Sequence, residues 1–68
     1  MNNLRPYRER AGLTQPELGF KVGLSGVMIC QIEKGVKDTT GSKWKLIADV
    51  LDCSVDELLG KEESFRRR

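Results

Sequence analysis

Histidine is absent from this sequence. With it go the side chain that most often moves protons near neutral pH and the commonest ligand for a transition metal. No pair of carboxylates shares an apolar face, no glycine-rich phosphate loop is present, and no cluster has metal-ligand spacing. An enzyme is therefore not expected, and neither is a metal, another cofactor or a small-molecule substrate. Cysteine is scarce as well: Cys30 has no imidazole to activate it, and Cys30 and Cys53 stand at none of the spacings that build zinc sites or disulfide frameworks. Both are expected as reduced thiols. Long apolar runs are also missing. Nothing approaches the roughly 20 residues that cross a bilayer, and no charged-then-apolar leader opens the chain, so the expectation is a cytoplasmic protein with no membrane partner. With 68 residues, the chain makes one domain near the lower limit for an unaided apolar core.

Charge of one sign is not in large excess, and a net charge of +2 names no partner. Its distribution is more informative. Residues 1–45 hold eight Lys and Arg against four Asp and Glu, whereas residues 46–68 hold four against six. A polyanion touching the first part and not the second fits this balance. A mixed-charge solvated surface has the same totals.

What the chain does have is helix punctuation. From Leu13 to Gly35 two helix starts follow each other closely. Thr14 is an N-cap with Glu17 three residues on to return the hydrogen bond, and Leu13 and Leu18 flank it as an apolar staple. Ser25 is the second cap, with Leu24 and Ile29 in the staple positions. Between them Gly23 supplies the left-handed residue that ends the first of these helices. So short a turn makes the two helices cross, which predicts a helix-turn-helix.

Asn2 or Asn3 caps a helix before this pair, with Pro6 in its first turn, Leu4, Tyr7 and Ala11 on one face and Gly12 at its end. The next helix spans about residues 15–22, turning Leu18 and Val22 inward, and Gly19 lets its neighbour approach closely. The third spans about residues 26–34. At about 100° per residue, Ser25, Ile29, Ile32 and Val36 share its buried side, so Val27, Cys30, Gln31 and Lys34 point away and Gly26 and Met28 lie on the flanks. A loop over residues 36–42 leads to a fourth helix capped by Thr39 or Thr40. Trp44, Ile47, Ala48 and Leu51 mark its buried face, Trp44 as a core residue rather than a base-stacking one, and Asp52 serves as its left-handed end. Ser54 and Glu57 form another capping box, stapled by Cys53 and Leu58, and open a fifth helix closed by Gly60. The fold class is all-α, a compact bundle of about five short helices. Residues 1–60 form the domain, and residues 61–68 are expected to fray as a basic tail.

In order and spacing, Gly12-Leu13-Thr14-Gln15, Glu17-Leu18, Val22-Gly23-Leu24-Ser25, Ile32-Glu33-Lys34-Gly35, Ile47-Ala48 through Leu51, and Val55-Asp56-Glu57-Leu58-Leu59 resemble the phage repressor and Cro type of helix-turn-helix regulators, the XRE family. The resemblance covers roughly residues 4–59. It implies a lambda-repressor-like fold and a bacterial or phage transcriptional regulator, expected to be a repressor, that binds double-stranded operator DNA. It also implies that the third helix enters the major groove while the second lies across it, which suits a groove about 12 Å wide. Gln31 matches a base-reading position, where glutamine pairs bidentately with adenine, and Gly26, Val27 and Met28 complete the base-facing set. Gln15 matches a phosphate anchor at a helix N-terminus, with Thr14 and Ser25 as further backbone contacts. Lys34, Lys37 and Lys43 fall where the family touches the sugar-phosphate backbone. Arg8 and Glu33 match an ion pair that bridges the first and third helices.

The chain departs from the family at Gly26, Val27 and Met28, where long polar side chains are usual. Val27 and Met28 offer a thymine methyl an apolar contact instead. Either few base edges are read directly, with phosphates and DNA shape carrying the rest, or this surface docks a protein, as in an antitoxin or anti-repressor module. Cys30 reads as a small tolerated residue rather than a redox switch. Phe20 replaces a usual polar residue and either stays exposed or folds onto Tyr7. Arg66, Arg67 and Arg68 either follow a phosphate or solubilise the end. A two-fold homodimer across half-sites about 34 Å apart is expected, joined on the C-terminal side around Val55, Leu59 and Phe65, because the DNA-facing side must stay free.

Overall fold

A computed structural model describes residues 2–60. Phe65 and the three terminal arginines lie outside the described residues. Among the described residues five helices follow one another: α1 (Leu4–Arg10), α2 (Gln15–Val22), α3 (Gly26–Glu33), α4 (Gly41–Leu51) and α5 (Val55–Leu59). Each contributes to one core, in which Leu4, Leu18, Ile29, Ile32, Ile47, Leu51 and Leu58 are fully buried, joined by Val22, Trp44 and Ala48. Burying each large aliphatic side chain is worth roughly 1.5–3 kcal/mol, and this is what holds helices too short to persist alone. No helix among the described residues is long and apolar enough to cross a membrane.

The α2–α3 crossing is set by caps and by missing side chains. Thr14 Oγ1 accepts from the Glu17 amide at 3.2 Å while the Thr14 amide donates to Glu17 Oε1 at 2.8 Å, completing the box. The bond donated by the Thr14 amide is the first cause that holds the Glu17 carboxyl below its ordinary range. Gly23 takes φ +78°, and Ser25 Oγ accepts from the Met28 amide at 3.0 Å. Gly19 is buried against the turn: a Cβ there would run into the Leu24 carbonyl oxygen and lie 3.0 Å from the Ser25 carbonyl carbon. Gly26 packs on the ring and backbone of Pro16, with the position of a Cβ only 3.1 Å from Pro16 Cα and Cγ. Two glycines, one on each helix, thus set how close α2 and α3 come.

Side chains from other helices finish the frame. Lys43 of α4 donates from Nζ to the Val22 carbonyl at 2.6 Å, placing a cation at the negative end of α2 and satisfying a carbonyl the helix leaves open. Asn2 Oδ1 accepts from the Leu4 amide at 3.0 Å and its Nδ2 donates to the Ile32 carbonyl at 2.9 Å. Asn2 is therefore the residue that caps α1 with its side chain. Asn3, in the N-cap position, makes no such bond and instead donates from Nδ2 to the Glu57 carbonyl at 3.1 Å.

Two sequence expectations, for Val36 and Ala11, are corrected, two alternatives are resolved, and Asp52 and Trp44 sit as expected. Val36 is 69% exposed rather than inward, because α3 ends at Glu33 and Gly35, at φ +76°, turns the chain out of the helical path. Ala11 is exposed, since α1 stops at Arg10 and Ala11 is its C-cap. Phe20 does not fold onto Tyr7: it is 89% exposed, and the Arg10 guanidinium covers the Tyr7 ring at 4.5 Å from the centroid. Thr40, not Thr39, caps α4, which begins at Gly41 inside the expected loop. Asp52 is the left-handed end of α4, at φ 57°. Trp44 is in the core, and its indole N–H donates to Asp38 Oδ1 at 3.0 Å, pinning the loop between α3 and α4.

Candidate nucleic-acid interface

The solvent side of α3 and the N-terminus of α2 form one shallow hollow of about 630 Å³. Gln15 and Pro16 line it from α2; Ser25, Gly26, Val27, Cys30, Gln31 and Lys34 line it from α3 and its ends. Of the expected base-facing residues, Val27 projects furthest, at 69% exposure, and Gln31 is half-buried beside it. The other two sit differently. Gly26 is taken up by its packing on Pro16, and Met28 is partly buried against the core. The apolar surface that replaces the usual polar readers therefore narrows to Val27 with Cys30, a half-buried free thiol. Cys53, the other free thiol, lies after α4, where burial pushes its pKa up.

Thr14 and Ser25 each use a hydroxyl lone pair on a helix amide, which leaves the O–H free to donate. Lys34, the C-cap of α3, and Lys37 are exposed. The amides of Val36 and Lys37 both donate to the Gln31 carbonyl, at 3.0 and 3.2 Å, so the turn that carries Lys37 is fastened to the helix that carries Gln31. Lys43 is engaged with α2 through Val22, a tie the sequence reading missed because nothing local marks a lysine of one helix as the cap of another.

Beneath the hollow lies a charged knot. Arg8 and Glu33 are both buried, and Arg8 Nε donates to Glu33 Oε2 at 2.5 Å while Nη2 reaches Oε1 at 3.4 Å. Arg8 Nη1 also donates to the Leu13 carbonyl at 2.8 Å. The hydrogen bond to Glu33 raises the guanidinium pKa above its ordinary value, against burial, which lowers it. Gln15 joins from α2: its Nε2 donates to Glu33 Oε1 at 3.0 Å. Three helices thus meet at one carboxylate, and no buried side-chain polar atom among the described residues lacks a partner.

A family model described as Helix-turn-helix matches residues 4–58. The chain belongs to the XRE-type helix-turn-helix family. No curated protein and no solved structure matches it. The family is one of DNA-binding regulators of transcription. In helix-turn-helix regulators generally, the second helix of the motif lies in the major groove and the first crosses the backbone.

Proposed function

We propose that this regulator is a sequence-specific repressor that lays α3 in the major groove of an operator. Gln31 reads an adenine edge and Val27 meets a thymine methyl. Gln15, Thr14, Ser25, Lys34 and Lys37 hold phosphates on either side of the groove, and Lys43 adds its remaining ammonium hydrogens beside the turn. The observation that carries the reading is the shared hollow: base-edge chemistry on α3 and phosphate-donor chemistry at the α2 terminus face the same space. With Gly26 packed on Pro16 and Met28 partly buried against the core, Val27 is the one strongly exposed large apolar side chain among those lining the hollow, which favours DNA over a protein partner there. The regulator acts as a two-fold homodimer joined around Val55 and Leu59, on the short α5 that packs on α1 and α4.

Preferred sites selected from a random duplex pool give the test. In a salt-controlled titration, Gln31→Ala is expected to lose about tenfold on a selected site, the worth of a bidentate base contact, and much less on random duplex. Equal loss on both removes Gln31 from base reading. No appreciable duplex binding even at low salt points instead to a protein-docking module.

A further inference from the structure

We propose that Glu33 is a positioning residue for DNA binding, because its buried carboxylate takes one hydrogen of the Gln15 amide and so commits the other to a phosphate oxygen. This rests on Gln15 acting as a phosphate anchor. An ionised carboxylate only accepts hydrogen bonds, so the Gln15 atom 3.0 Å from Glu33 Oε1 is the amide nitrogen. A phosphate oxygen also only accepts. A glutamine amide free to turn over, on a side chain free to change rotamer, samples both orientations before binding and must be ordered nitrogen-first when the phosphate arrives. Glu33 removes that choice before DNA arrives.

The carboxylate can do this because it is itself immobile. Its side chain is 5% exposed and clamped by Arg8 from α1, and Arg8 is tied in turn to the Leu13 carbonyl one residue before the α2 cap. The pair therefore fixes both the start of α2 and the rotamer of the first side chain on it. Pre-organising the amide in this way spares the complex the ordering of a rotamer-rich side chain on binding.

The test is a double-mutant cycle on duplex affinity. Replacing Glu33 alone strands a buried arginine, so the carboxylate is removed together with its partner, as Arg8→Met with Glu33→Met, an exchange of a buried pair for apolar side chains that folds retain. Gln15→Ala is expected to lose about tenfold in affinity, as a hydrogen bond to a charged group should. The log-log salt slope should not change, because a neutral amide displaces no counterion. The Arg8→Met/Glu33→Met variant is expected to lose most of that factor while keeping its helical circular dichroism, and adding Gln15→Ala to it should cost little more. The Gln15 Nε2 proton that faces Glu33 should be displaced from its ordinary glutamine position in the free wild type and return to it in the Met/Met variant. Full additivity of the losses, or Met/Met affinity equal to wild type while Gln15→Ala is weakened, overturns the positioning role alone. Wild-type affinity in Gln15→Ala overturns the phosphate-anchor reading beneath it.

Discussion

Glu33→Ala should come close to unfolding the protein, although it removes a charged residue from a helix end. Glu33 is the last residue of α3, and its carboxylate holds the guanidinium of Arg8, whose side chain is only 10% exposed. Alanine leaves that guanidinium buried with a single carbonyl partner, Leu13, and frees the Gln15 amide as well. Breaking a buried pair on one side costs about 3–5 kcal/mol. A chain of 68 residues is expected to be stable by only about 3–10 kcal/mol in all, so the loss takes a large share of the total. At about 4–8 °C per kcal/mol for a domain of this size, thermal melts followed at 222 nm should shift down by roughly 12 °C or more. Arg8→Met with Glu33→Met should melt near wild type, because no unpaired charge remains. If Glu33→Ala melts within a few degrees of wild type, the pair is not the clamp between α1 and α3 and the magnitude argued from its burial is wrong.

Lys43→Met should cost about 1 kcal/mol, the usual worth of one hydrogen bond, because the Val22 carbonyl at the end of α2 loses its cap; a urea titration with unchanged m-value would show it. Acid should weaken the loop after α3. Asp38 is held below its ordinary 3.8, first by the Trp44 indole and then by the Thr39 amide. A carboxyl whose pKa is lower folded than unfolded stabilises the protein above the unfolded value, and that contribution is lost as pH falls through the folded one. Melting temperature should therefore drop less between about pH 5 and pH 3 in Asp38→Asn than in wild type, with Glu17 supplying a remaining part of the acid response. For Val27, replacing single thymines of a selected site by deoxyuridine removes only a methyl group. At one position this should lower wild-type affinity a few-fold, on the order of the 0.8 kcal/mol of one buried methylene, and leave Val27→Ala unaffected; no such position would exclude methyl reading.

The punctuation of the fold was legible because it is local chemistry. Thr14 with Glu17, Ser25, Ser54 with Glu57, and the left-handed Gly23 and Asp52 each act within one turn of chain, and all appear at those residues. Where local logic was extended past a helix end it failed. Val36 continued the apolar spacing of α3, but Gly35 had already turned the backbone, so a periodic position became an exposed one. Phe20 and Tyr7 were left open for the same reason: whether two aromatic rings on different helices meet depends on how those helices cross, and here an arginine covers Tyr7 instead.

The sequence by itself determined the number and order of the helices and most of their caps, the apolar set Leu18, Ile29, Ile32, Ile47 and Leu51 that draws them together, and the residues that face outward on α3. Caps, staples and helical periodicity act over three or four residues, so neighbouring letters suffice to write them. Tertiary structure alone decided how the candidate contact residues are engaged within the fold. Gly26 is spent against Pro16, Met28 against the core and Lys43 on Val22, while Gln15 is tied to a carboxylate 18 residues away. Those assignments depend on the distance and angle between helices, which two glycines and one buried ion pair set, and no spacing along the chain encodes them.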